Sequence, residues 1–228
     1  MVTVPINAHK SRGRRRVLAS LSEPKTLKLY QEGRRLLGGA DFEGISISRF
    51  SKAAETSVGA FYVRFTDKEA FLSFITSHTF ASARRAFEKV MPSIASSSKP
   101  AEALTDAVVS LWAGKEFAGV VRMAVKRGCS DIEHRKPFDR YREYVVDEVV
   151  GLMPDEAKKE DRIQVEVAIQ ATFGILTDAI TSKSYNEPLK RSEYHEAIVS
   201  LLKNALGKVK FEKLKAKEPT EQTGVKKI

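Results

Sequence analysis

The sequence predicts an all-α protein, and three observations lead there. Apolar residues recur at spacings of three and four through most of residues 24–206. Serine, threonine or aspartate stands before several of these stretches, where a side-chain oxygen can cap a first turn, and glycine or proline punctuates their ends. Finally, 42% hydrophobic residues in 228 suffice for a core, while the single cysteine, Cys129, excludes an internal disulfide framework and fits a reducing compartment.

From Pro24 to Leu37, the residues Leu27, Tyr30, Leu36 and Leu37 share one face. Ser22 is placed to cap this helix, Pro24 suits its first turn, and Gly38 and Gly39 are expected to stop it. In "SISRFSKAAETS" Ile47, Phe50 and Ala54 share a face behind Ser46, a second cap. A third helix is expected from about Ser57 to Phe65, and Thr66 or Asp67 caps a fourth that runs to Met91. Two short helices joined by a tight turn, braced by a preceding one, have the shape of a helix-turn-helix.

Past the loop at Ser96 to Pro100, Leu104, Val108, Leu111 and Trp112 mark another helix, and one more is expected from Gly119 to Arg127. After the charged "GCSDIEHRKP", an apolar stripe of Tyr141, Val145 and Leu152 is interrupted by Glu148. Two last helices span Asp161 to Ser182 and Ser192 to Leu206. The first of these is apolar on two sides, with Ile163, Val167 and Gly174 on one and Val165, Ile169, Phe173, Leu176 and Ile180 on the other. One chain has difficulty covering both sides. A homodimer contact is therefore expected here, assigned to Val165, Ile169, Phe173, Leu176 and Ile180 together with Ile198 and Leu202.

The net charge of +10 sits at the ends. Residues 1–22 carry +5 and read as a basic flexible arm; residues 207–228 carry +4 and read as a basic, disordered tail. The residues between them carry only +1 and divide into a unit at 23–74 and a helical body at 75–206. No apolar run reaches the roughly 20 residues of a membrane span, and a cytoplasmic location is expected. The four histidines are scattered, and there is no Gly-rich phosphate loop and no cysteine cluster, so no catalytic residue, metal site or cofactor is expected.

The segment "ETSVGAFYVRF" carries an unusual amphipathicity. Phe61 and Phe65 supply an inward face, whereas Ser57, Val58, Ala60 and Val63 are thin enough to let a backbone approach base edges. Gly59 removes a side chain where the helix would press on its neighbour or on DNA, at a cost of about 1 kcal/mol relative to alanine. The longer stretch "FEGISISRFSKAAETSVGAFYVRFTDKEAFL" resembles the DNA-binding motif of TetR-family transcriptional regulators. The matches are Phe42, Gly44, Ile47, Ala54, Ser57, Gly59, Phe61, Tyr62, Phe65, Lys68, Glu69 and Leu72. The pattern departs where Glu55 and Thr56 replace glycine and valine, at Phe50 and Ser51, and at Arg64, where histidine is common.

The resemblance implies an N-terminal three-helix helix-turn-helix DNA-binding domain and a C-terminal helical ligand-binding and dimerisation domain. Ser46, Tyr62 and Lys68 would hold phosphates, and Ser48, Arg49, Val58, Ala60 and Val63 would face the groove. Arg49 and Arg64 are the long donors for base edges, and Arg14, Arg15 and Arg16 would reach the adjacent minor groove. The implied partners are double-stranded DNA with a near-palindromic operator, a second subunit, and an apolar or aromatic small-molecule effector that lowers operator affinity. Its lining is expected at Trp112, Phe117, Met123, Phe138, Tyr141 and Phe173. From the residues alone, a helical interaction module and a helical enzyme remain as alternatives.

Overall fold

The computed structural model describes residues 19–182 and 192–206; Arg14, Arg15 and Arg16 and the segment 207–228 lie outside them. Among the described residues there are nine α-helices and no strand: α1 Pro24–Gly39, α2 Ile47–Ala53, α3 Val58–Arg64, α4 Lys68–Ser96, α5 Pro100–Ala113, α6 Lys115–Gly128, α7 Lys136–Val150, α8 Lys159–Thr181 and α9 Ser192–Leu206. Short 3-10 turns at Phe42–Gly44 and Ile132–His134 join α1 to α2 and α6 to α7.

The start of α1 differs from expectation. Glu23, not Ser22, is its cap: Oε2 accepts from the Thr26 N–H at 2.8 Å and from the Thr26 hydroxyl at 2.6 Å. The helix also runs through Gly38 and Gly39. These glycines do not stop it, because Gly38 serves the crossing with α6. A Cβ on Gly38 would meet the Lys115 carbonyl at 3.0 Å, and one on Gly119 would overlap the Leu37 carbonyl. So α1 and α6 cross backbone on backbone, and α1 packs more extensively on α6 than on its own neighbours α2 and α4.

Asp67 caps α4, accepting from the Ala70 N–H at 2.7 Å. The helix passes the expected end at Met91 because its apolar repeat continues: Phe87, Met91 and Ile94 are all buried. The chain breaks between α5 and α6 at Gly114, so α6 begins before Gly119 and Phe117 lies in its first turn. In α7 the buried stripe is Phe138, Tyr141, Val145 and Val149, continued by Leu152, and Glu148 stands beside it rather than within it.

The two-sided helix is α8, and the structure reverses its assignment. Val165, Ile169, Phe173, Leu176 and Ile180 are buried in the chain's own core, as are Ile198 and Leu202 of α9. They face α5, α6, α7 and each other. The exposed apolar side is the other one, with Ile163 at 47% and Val167 at 58% exposure, and Gly174 opening onto free space. By length and composition α8 passes for a membrane span. Its packed side makes it a core helix, and Glu166, Gln170 and Asp178 interrupt the rest.

Candidate nucleic-acid interface

Helix α2 starts at Ser46, whose hydroxyl accepts from the Arg49 N–H at 3.2 Å, and it buries Phe50. Its end is a Schellman turn. The Glu55 N–H donates to the Lys52 carbonyl at 3.1 Å and the Thr56 N–H to the Ser51 carbonyl at 2.9 Å. Glu55 adopts φ +50, the left-handed region in which glycine is favoured. Glycine is the usual residue at this position of the motif, and the geometry supplies the reason. The Glu55 side chain accepts from Lys28 Nζ at 2.5 Å, across to α1.

Ser57 caps α3, accepting from the Ala60 N–H at 3.1 Å. Inward, Phe61 and Phe65 are fully buried and pack with Phe71 at ring distances of 5.2 and 4.9 Å; Phe50 completes the cluster at 5.0 Å from Phe71. Outward, α3 shows Val58, Gly59, Tyr62 and Val63 exposed and Ala60 partly exposed. Tyr62 is 52% exposed, and a Cβ on Gly59 would meet nothing closer than the Ser57 hydroxyl at 3.8 Å. Packing on α2 therefore does not explain the glycine. What remains is an apolar, thin and solvent-facing helix flank. Ser46, Ser48 and Arg49 are exposed on α2.

Two expected DNA contacts are otherwise engaged. Arg64 is not a free donor: its Nε and Nη2 donate to Glu23 Oε2 and Oε1 at 2.7 and 2.5 Å, and Nη1 donates to the Ala60 carbonyl at 2.7 Å. The Arg64 guanidinium holds Glu23 near pKa 2, well below the usual carboxylate range. Lys68 Nζ donates to the carbonyls of Phe42 and Glu43 at 2.6 and 3.2 Å. Burial, followed by the nearby Arg127, pushes its pKa down.

Other cations are also neutralised within the protein. Lys28 pairs with Glu55, Arg34 with Glu116 and Arg35 with Glu32. Among the described residues, Lys25, Arg49 and Lys52 are the cations of this unit whose charged groups carry neither an ionic nor a hydrogen-bonded partner, and all three are exposed. Sequence reasoning singled out only Arg49. Lys25 and Lys52 carry no motif signal, and only the pairing of their neighbours distinguishes them.

Of the expected effector lining, five residues converge. Trp112 lies 4.9 Å from Phe117 and 5.0 Å from Phe173, and Phe80, absent from the expected set, packs on Phe117, Phe138 and Tyr141 at 5.6–5.9 Å. All are buried. The Trp112 Nε1 donor is buried there with no acceptor. Met123, the sixth, belongs to the same core and also lines a cleft of about 280 Å³ between α1 and α6 with Gly119 and Lys126. Phe138 and Phe173 line a second cleft of about 290 Å³ together with Arg135, Arg142, Gln170 and Thr177. Among the described residues no group of three histidine, cysteine, aspartate or glutamate side chains can hold a metal ion.

No protein-family model matches the chain, and no curated protein matches it in sequence. Solved structures do. A protein from Mesorhizobium loti MAFF303099 assigned to the TetR family of transcriptional regulators superposes with a TM-score of 0.62 at 16% identity, over 81% of this chain and 96% of that one. GusR of Salmonella enterica gives 0.60 at 14% identity, over 81% and 96%. The fatty acid degradation regulator FadR of Bacillus halodurans gives 0.58 at 16% identity, over 83% and 98%. With its capped, Gly59-bearing α3 and its helical C-terminal body, the chain has the fold of the TetR-family transcriptional regulators.

Proposed function

We propose that the protein is a sequence-specific DNA-binding transcriptional regulator, acting as a repressor from a homodimer in the cytoplasm. One observation carries this reading: α3 buries Phe61, with Phe65 following it, yet its opposite flank of Val58, Gly59, Ala60, Tyr62 and Val63 is open. An apolar flank left contiguous and exposed is the informative case, since single exposed apolar residues are common. A major groove accepts a helix of this profile, with aliphatic contacts to thymine methyls and donors at its rim. Ser46, Ser48 and Tyr62 supply hydroxyls for phosphates, and Arg49, Lys25 and Lys52 supply unspent charge. The basic segment with Arg14, Arg15 and Arg16 adds Coulombic attraction that the neutralised unit lacks.

The dimer contact is assigned to the open side of α8, through Ile163, Val167 and Gly174. A two-fold axis there would present two copies of α3 to half-sites about 34–36 Å apart or a multiple of it. The effector is assigned to the aromatic cluster. A buried donor without an acceptor costs about 1–3 kcal/mol, which a planar apolar ligand carrying an acceptor for Trp112 Nε1 would recover.

The test is selection from a pool of random duplexes with the full-length chain, followed by footprinting. Enrichment of a near-palindromic site is the expected result. A pool that stays unenriched overturns the reading.

A further inference from the structure

The Glu23–Arg64 pair joins residues 41 apart in sequence, the cap of α1 and the end of α3. Arg64 is the last residue of α3, and Glu23 is the cap of α1, next to the point where the described chain begins. Each nitrogen of the Arg64 fork donates a hydrogen bond: two toward the carboxylate and one back to Ala60 on its own helix. The carboxylate is equally occupied, since Oε2 also accepts from the Thr26 N–H and hydroxyl. The Arg64 side chain is only 10% exposed. A planar fork matched in this way to a carboxylate fixes orientation as well as distance.

Helix α3 needs such a fixing. It has seven residues, and its core contacts are Phe61 and Phe65, which lie on one line along the helix. Two contacts on a line leave rotation about that line poorly resisted. The Schellman turn holds the leading end, and Arg64, off the aromatic line, holds the trailing end. A guanidinium free to read bases would have to give up this bidentate pair first.

We propose that Arg64 is a positioning residue, which through Glu23 locks the rotation of α3 to the start of α1. Resting on the DNA-binding reading, this makes the angle at which the open flank of α3 meets the groove a property of the protein, fixed before DNA arrives. Arg64 then contributes to sequence discrimination without touching a base.

The experiment uses the full-length chain, the duplex selected above and a scrambled duplex, with Glu23→Gln, Arg64→Lys and the double variant. Glu23→Gln keeps an oxygen for the Thr26 cap, and Arg64→Lys keeps the charge but loses the fork. Each single variant is expected to lose about tenfold in affinity for the selected duplex, the double variant to lose no more than either, and scrambled binding and salt slope to stay as in the wild type. Hydrogen exchange of the unbound chain should be faster at α3 amides in both. Tighter or equal binding by Glu23→Gln beside a loss and a shallower salt slope in Arg64→Lys would show that Arg64 touches DNA, and overturn the proposal. Unchanged exchange at α3 would overturn it as well. A wild-type chain that enriches no duplex defeats the DNA reading instead, and the exchange measurement still decides whether the clamp exists.

Discussion

Lys28 Nζ stands 2.5 Å from Glu55 Oε2, fastening the second turn of α1 to the one described non-glycine residue with a left-handed backbone. A side chain at that conformation costs about 1–2 kcal/mol, and an exposed ion pair returns less than that. Glu55→Gly is therefore expected to hold or raise the melting temperature, while Glu55→Ala, which keeps the strain and loses the pair, lowers it. Thermal denaturation of the two variants side by side checks this order.

Gly59→Ala separates stability from binding. The site is open, so the methyl group meets no protein atom closely, and helix propensity should add up to about 1 kcal/mol of stability. The same methyl thickens the flank assigned to the groove, and affinity for the selected duplex should fall at least tenfold, about 1.4 kcal/mol. Denaturant titration and fluorescence anisotropy on one preparation measure both.

The open side of α8 and its buried side should respond differently. Ile163→Glu or Val167→Glu, at exposed positions, is expected to give a monomer by sedimentation and to weaken operator binding with it. Val165→Ala removes buried methyl groups and should cost about 2 kcal/mol of folding stability.

Two histidines give an acid-side loss of stability. His134 lies 3.1 Å from Arg127 and within 4.0 Å of Glu69 and Asp131; burial, then Arg127, pushes its pKa down despite the carboxylates of Asp131 and Glu133. Burial, then Arg85, does the same to His78, which packs on Phe74. With folded values below the ordinary value near 6.5, the unfolded chain binds more protons in the interval between. Stability should therefore fall as pH drops below about 6.5, by at most about 1.4 kcal/mol per pH unit for each group, and level off below the folded values. Melting curves from pH 7 to 5 should flatten in His78→Gln and His134→Gln. Glu23 acts in a separate, lower window, its contribution present above 4.5 and lost as pH falls toward 2.

Much of the interface was legible in the sequence because its signals are local. Ser46 and Asp67 cap the helices they precede, and Phe61 and Phe65 turn inward. The partners of Arg64 and Lys68 were not legible, because Glu23 and the Phe42 carbonyl lie 41 and 26 positions away. Helix periodicity separated the two sides of α8 correctly but could not say which one the chain would cover with its own α5, α7 and α9. The extension of α1 through Gly39 was missed for a similar reason, since the glycines answer to α6.

The bare contact between Gly119 and the Leu37 carbonyl constrains engineering. With no side chain to act as a cushion, α1 and α6 have matched contours, and a small foreign group on either would wedge them apart. Chimeras that graft the recognition module of this protein onto a related body should therefore carry α6 along with it, or inherit a mismatched joint.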